Sequence, residues 1–424
     1  MTAEPASLAV WTIGALATAG VVLRPFRLPE ALWAVAGAIV LVALGLLPWT
    51  AALAAVTKGL DVYLFLTGMM LLAETARREG VFDWVASLAV NRAGGSPARL
   101  LLLVYAVGVV ITAFLSNDAT AVVLTPAVYA AARKARVDPL PHLFACAFVA
   151  NAASFVLPIS NPANLVLYGD HTPPLVPWLE RFAAPSVLAV LATFAVLRLA
   201  ERRRLQLPCA CEVDQPRLSA GGRAALAGIG VTAVALVAVA TFDTPLGLPT
   251  FILGALTTLV TLVRNREAPW ATLCGVTWSV LPLVAGLFVL VEAVDRTGLT
   301  AALAATLTAA VQASQPAAAV AAGAVLAIAG NLINNLPAGL IASTTIAHAH
   351  PPLGVVDALL IGVDVGPNLS VTGSLATILW LAAIRREGES VGFWRFLKLG
   401  ALVMPPALIL AIGARLLGGM LLGG

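Results

Sequence analysis

Apolar runs of about 17–25 residues, the length that crosses a bilayer as a helix, recur along the whole chain, separated by short polar or Arg-bearing stretches. Runs near 7–23, 29–47 and 60–76 predict three spans. Arg24 and Arg27 follow the first and Arg77 and Arg78 the third, so both loops are expected in the cytoplasm and the N-terminus outside. The stretch VFDWVASLAVNR, from Val81 to Arg92, is amphipathic and too short to span. It predicts a helix lying at the cytoplasmic interface. From about 98 to 132 an apolar run is interrupted by Ser116, Asn117 and Asp118 and carries Arg at both ends. Both ends then belong inside, which a re-entrant helical hairpin satisfies and a single span does not.

The remaining runs follow the same rule. The segment 142–168 crosses outward to a Pro-rich loop, 183–200 returns to Glu201 and Arg202, and 201–221 forms the main cytoplasmic loop. Spans near 223–241, 249–263 and 276–294 precede a second broken run, 316–349, which opens outside; 355–384 and 396–417 complete the chain. The predicted fold class is an all-α polytopic membrane protein with about ten transmembrane helices, two re-entrant hairpins and broken helices at the midplane.

An internal repeat organises this pattern. A shift of 218 residues aligns Gly68, Glu74, Arg78 and Gly80 with Gly286, Glu292, Arg296 and Gly298, and the same shift puts Asn117 on Asn335. The first copy starts outside and the second inside, so residues 1–200 and 222–424 are expected to be inverted repeats, as in secondary transporters with a site at the repeat interface.

Four polar, Gly/Pro-bearing breaks interrupt the apolar helices: Ser116 to Thr120, Asn151 to Asn164, Asn331 to Pro337, and Asp364 to Ser374. Each unpaired peptide group exposed to lipid costs several kcal/mol, so these segments are expected to face protein or a wet cavity. Half-helix ends meeting there leave N–H and C=O groups that hold a small polar solute. The competing role for any single Asn or Ser is to join packed helices. Asp118 and Asp364 are the acids nearest the midplane. A charged, unpaired carboxylate there costs roughly a few kcal/mol, so such groups load and release protons; the plainer role is a helix N-cap.

Composition narrows the class. The chain is 60% hydrophobic and 11% charged, with mean hydropathy +0.96, which only a membrane protein accommodates. The net charge of +4 comes from short Arg-rich loops and gives no basic face for nucleic acid. The N-terminus lacks the basic flank of a cleaved signal, so the first run is expected to remain as a span. No metal or cofactor is expected: Cys209 and Cys211 fall in a polar loop, Cys146 and Cys274 in or beside apolar runs, and His171, His348 and His350 in outer loops. Glu74 and Glu292 each precede an Arg by four residues, which predicts i,i+4 ion pairs. Lys58 and Asp61 look like an interface anchor.

Four stretches, FLSNDATAVVLTP, ANAASFVLPISNPANL, NNLP and VDVGPNLSVTGSLATILW, together resemble the ArsB arsenite/antimonite efflux permeases of the ion transporter superfamily. The resemblance covers nearly the whole chain. It implies an elevator-type carrier of the bacterial inner membrane that exports arsenite and antimonite in exchange for protons, in some members with a soluble ArsA-type ATPase as partner. It also implies solute contacts by Asn117, Thr120, Ser160, Asn161, Asn164, Asn334, Asn335, Asn368, Thr372 and Ser374, with Asp118 and Asp364 coupling protons. Asn151 and Ser154 join the candidate set from the second break. Arsenous acid is mostly neutral As(OH)3 at neutral pH, and breaks without Arg or Lys suit it better than a dicarboxylate. A sodium/proton antiporter of the same superfamily is the alternative. A membrane-embedded enzyme would need a base beside Ser116 or Ser154, and no intramembrane His supplies one.

Overall fold

The computed structural model describes residues 5–169, 172–206, 213–214, 216–242 and 244–422, and every regular element among them is helical. The first half comprises α1 (Pro5–Leu23), α2 (Glu30–Ala43), α3 (Trp49–Lys58), α4 (Leu60–Arg78), α5 (Val81–Ala93) and α6 (Pro97–Phe114). It continues with α7 (Asn117–Ala119), a π turn over Thr120–Leu124, α8 (Thr125–Lys134), α9 (Leu140–Ala152), α10 (Pro162–Tyr168) and α11 (Leu175–Ala200). The second half repeats this order with α12 (Ala220–Val239), α13 (Gly247–Asn265), α14 (Trp270–Gly275), α15 (Val280–Asp295) and α16 (Leu299–Ala313). Then follow α17 (Gln315–Ile333), α18 (Asn335–Ala349), α19 (Leu353–Val365), α20 (Leu375–Arg386) and α21 (Phe393–Leu422).

Packing between the halves is reciprocal. Helix α4 lies against α13, and its counterpart α15 lies against α2. The repeated glycines explain the closeness of both crossings. A side chain at Gly68 would strike the backbone of Thr250, and one at Gly286 would strike Ala34; small residues at such crossings let helices approach where lipid gives no hydrophobic drive. The last glycine of each motif has another task. Gly80 (φ 70°) and Gly298 (φ 83°) are left-handed, a conformation glycine adopts without a Cβ penalty, and they turn the chain into α5 and α16.

Two bodies result. Helices α1–α4 and α12–α15 pack among themselves, as do the hairpins, the broken helices, α11 and α21. Few helix faces join the bodies, chiefly α15 with α18 and α4 with α10. One polar link between them is His348 Nε2 on α18, 3.1 Å from Asp295 Oδ1 on α15.

By length and composition, seven of the described helices are able to cross a membrane, or eight if the bent pair α3 and α4 is one span. Helices α6 and α17 are hairpin arms among these seven, whereas α2 (14 residues) and α15 (16 residues) are shorter than the runs that predicted them. Other expectations need correction. Glu74 pairs with Arg77, at 2.6 Å, instead of Arg78, because Arg78 reaches across to Glu267 at 3.3 Å; Glu292 does pair with Arg296, at 3.1 Å. Lys58 and Asp61 each reach beyond their own helix: Lys58 binds Glu292 at 3.0 Å, and Asp61 Oδ1 accepts from the Gly247 N–H at 2.7 Å. The 81–92 segment is a helix, yet Val81, Phe82, Ala86, Ala89 and Val90 are buried against protein. His348 sits in the last turn of α18 instead of a loop. Cys209, Cys211 and His171 lie outside the described residues.

Candidate functional site

Both hairpins turn at a strained residue. Ser116 (φ 150°, ψ 164°) and Asn334 (φ 76°, ψ 152°) occupy a backbone region that is essentially reserved for glycine. Each also caps the helix that follows: Ser116 Oγ accepts from the Ala119 N–H, and Asn334 Oδ1 from the Leu336 N–H, both at 3.3 Å. Such strain persists only where surrounding contacts over-determine it. In the first hairpin, Asn117 Oδ1 accepts from the Asp118 N–H at 2.9 Å, and Thr120 Oγ1 lies 2.8 Å from Thr112 Oγ1 on the opposite arm. Thr120 begins the π turn, a distortion frequent at functional sites.

The breaks interlock across the halves. Ser374, the N-cap of α20, donates to Asn151 Oδ1 near the end of α9 at 3.0 Å. Asn161, the N-cap of α10, donates to Asp364 Oδ1 near the end of α19 at 2.5 Å. Asn151 and Asp364 share one offset of 213 residues with Asn161 and Ser374. The start of each second half-helix therefore clasps the end of the other repeat's first half-helix. Around Asn151 the network closes: its Nδ2 donates to Asn368 Oδ1 and Thr377 Oγ1, each at 3.1 Å, and Asn368 Nδ2 donates to the Phe148 carbonyl at 3.2 Å. Asp364 differs. Its Oδ2 is buried without a partner.

The other candidates tie tips to breaks. Ser160 Oγ donates to the Ala113 carbonyl at 3.2 Å, and Thr372 Oγ1 to the Asn331 carbonyl at 2.8 Å. The Asn335 N–H donates to the Gly373 carbonyl at 2.9 Å, while Asn335 Oδ1 has no partner. Asn164 Nδ2 donates to the Ser154 carbonyl at 2.8 Å and leaves its Oδ1 unpaired; Ser154 Oγ is turned back onto the Ala150 carbonyl at 2.7 Å. Three buried acceptors, on Asn164, Asn335 and Asp364, thus lack a donor, and buried polar atoms of native proteins rarely do.

Of the sequence-derived candidates, Asp118 opens onto a cavity. The cavity, about 70 Å³, is lined by the first hairpin tip (Ser116, Asp118, Ala119), Met69, Met70 and Glu74 of α4, Pro162 at the start of α10, and the Gly275–Thr277 segment. No Lys or Arg lines it. A second cavity, about 90 Å³, is lined by Lys58, Glu292, Asp295, Leu340 and Thr344 among others. The two are counterparts: Glu74 and Val122 of the first correspond, 218 residues on, to Glu292 and Leu340 of the second. Only the first reaches a hairpin tip.

Two groups lie outside the candidate set, Asn331 at the start of the third break and Asp357. Asn331 Oδ1 accepts from the Ser370 N–H and Oγ, at 3.0 and 2.8 Å, anchoring the last break to α17. Asp357 is fully buried in α19 between Arg181 (3.2 Å), Arg415 (2.6 Å) and the Tyr168 hydroxyl (2.7 Å). Its sequence signal was a second carboxylate, seven residues before Asp364 in the same apolar run, matched by Arg415 in another.

The profile of the CitMHS family, described as a citrate transporter, matches residues 11–366. An arsenical pump membrane protein of Yersinia enterocolitica is 26% identical over 79% of this chain and 81% of its own length. The protein of the same name from Escherichia coli K12 is 25% identical over the same shares, and an uncharacterised transporter of Mycobacterium tuberculosis is 25% identical over 83% and 84%. Among solved structures, the Alcanivorax borkumensis YdaH transporter, described as having an unusual topology, superposes with a TM-score of 0.58 at 19% identity, covering 99% of this chain and 98% of its own.

Proposed function

The chain belongs to the CitMHS family of membrane transporters, and we propose that it is a secondary carrier exporting arsenite, as As(OH)3, and antimonite from the cytoplasm in exchange for protons. One observation carries this reading: the cavity at the first hairpin tip presents Asp118 and Glu74, the latter paired with Arg77 behind it, and no basic side chain lines it. Citrate, which the family description names, would bring several negative charges into that acidic space, and burying them without a cation is costly. A neutral trihydroxy solute needs only donors and acceptors. The names of the Yersinia and Escherichia relatives point the same way.

The two-body packing supplies a transport cycle. By the positive-inside rule the Arg77–Arg78 end of α4 lies in the cytoplasm of a bacterial inner membrane, so the cavity beside Glu74 is the entry side and its counterpart beside Glu292 the exit. Solute and proton meet at the hairpin tips and breaks, where Asp118 and Asp364 exchange the proton. Sliding the hairpin body along the α1–α4/α12–α15 body then closes one cavity and opens the other, as inverted repeats permit.

A sodium/proton antiporter is the second reading, favoured by the three unpartnered oxygens of Asn164, Asn335 and Asp364, which are hard donors of the kind such a cation takes. Arsenite accumulation in everted vesicles, driven by an imposed proton gradient without sodium, separates the readings. Uptake that a protonophore abolishes supports arsenite/proton exchange. Absent arsenite uptake with proton movement on adding Na+ replaces it with the sodium reading, and citrate uptake alone with the family description.

A further inference from the structure

Between α12 of one body and the paired α5 and α6 of the other runs a cleft of about 690 Å³, which the transport cycle above does not use. Its walls are apolar throughout, with Phe82, Val107, Ile229, Ala233 and Val237 among them. Val110 and Val234 line it while remaining more than half exposed, so it opens sideways along helices long and apolar enough to lie within the membrane.

The cleft has a polar mouth. At the end where α5 begins, a second depression of about 530 Å³ is lined by Trp84, Arg217 and Arg223 with Pro216 and Leu218. Trp84 adjoins Val85, and Arg223 lies one turn before Leu226, so depression and cleft share the same two helices. Both arginines are exposed, and among the described residues neither is held in an ion pair. Of the described acids nearby, Glu79 binds Ser219 and Asn265, and Asp83 on α5 and Asp214, three residues before Arg217, are exposed and do not line the depression.

We propose that this is a binding site for an anionic phospholipid, with an acyl chain in the cleft, the phosphate between Arg217 and Arg223, and Trp84 at headgroup level. Three features select that occupant over a second copy of the chain or a neutral lipid. The cleft faces hydrocarbon, its mouth is cationic on the cytoplasmic side where anionic lipids attract basic residues, and an aromatic amphipathic ring stands at the interface between them. Because the cleft separates the two bodies, an occupied site links lipid composition to their relative movement. The inference does not depend on which solute is carried.

Native mass spectrometry of the full chain in detergent tests it, with phosphatidylglycerol and phosphatidylcholine of identical acyl chains as probes. Phosphatidylglycerol is expected to be retained at least fivefold better. Arg217→Gln with Arg223→Gln should reduce it to the phosphatidylcholine level, and the paired Lys substitutions should restore it. Gly230→Leu, which points its side chain into open space, should displace both lipids without disturbing the fold. Equal retention of the two lipids, a preference that survives either the Gln pair or Gly230→Leu, displacement by millimolar inorganic phosphate, or a lipid-free dimer would each overturn the proposal.

Discussion

The two interlocked breaks are built alike and finished differently. At Asn151 each side-chain polar atom of Asn151, Asn368, Ser374 and Thr377 meets a partner, whereas at Asp364 the corresponding position carries a carboxylate with one bond from Asn161 and one oxygen left over. A neutral, closed network holds half-helices together and has nothing to exchange. A buried carboxylate oxygen without a donor is a place for a proton or a solute hydroxyl. The two clasps share one offset along the chain, and the difference of one functional group closes the first network and leaves an open oxygen in the second.

The largest effect should come from removing that difference. Asp364→Asn makes the junctions chemically equal and is expected to reduce proton-driven arsenite accumulation at least tenfold, while the purified protein unfolds at a similar temperature because the amide oxygen still accepts from Asn161. Full accumulation in this variant would show that the asymmetry has no bearing on coupling. Asp118→Asn, at the cavity, should keep the fold and lower or uncouple transport several-fold; unchanged flux would remove Asp118 from the coupling and leave it as a first-turn residue behind the Ser116 cap.

The joint responds in the opposite sense. Asn151→Ala strands Asn368 Oδ1 in the interior and leaves Ser374 and Thr377 only each other, and a buried group left unsatisfied costs about 1–3 kcal/mol. Thermal unfolding in detergent should shift down, with transport falling only as far as folded protein is lost. A variant that unfolds normally yet fails to transport would place Asn151 with the solute, as the sequence reading expected, and would erase the distinction between the two junctions.

How much of this was legible follows from register. The offset of 218 residues exposed the hairpin tips and the glycine crossings because the chain from Gly68 to Asn117 has no insertion relative to its copy. Past the tip, the arm ending at Lys134 runs three residues further than the one ending at Ala349, and the connection from Lys134 to Leu140 is two residues longer than that from Ala349 to Leu353, so the offset falls by five to 213 and the pairing of Asn151 with Asp364 drops out of register. Helix α16 went unseen because its small apolar residues merge with the runs on either side. Polar breaks were readable as breaks. Which of their atoms close a network and which stay open depends on contacts between residues more than 200 positions apart, and no local pattern encodes those.

The smallest predicted effect tests whether the hairpin tips hold strain in both halves. Ser116 and Asn334 give up backbone comfort, about 1–3 kcal/mol for a non-glycine residue in such a region, and in return each caps a helix. Glycine relieves the backbone and, as a helix cap, falls only a few tenths of a kcal/mol short of Ser or Asn. Ser116→Gly and Asn334→Gly are therefore expected to leave stability unchanged or raise it by up to about 1 kcal/mol, while the two Ala variants, which keep the strain and lose the cap, should fall by about 1 kcal/mol. Matching Gly-over-Ala differences at both positions, measured by thermal unfolding, would mean that the tips, unlike the junctions, remain energetically equivalent. A difference confined to Ser116 would instead put the strain on the side where Asp118 meets the cavity, and extend the asymmetry of the junctions to the hairpins that flank them.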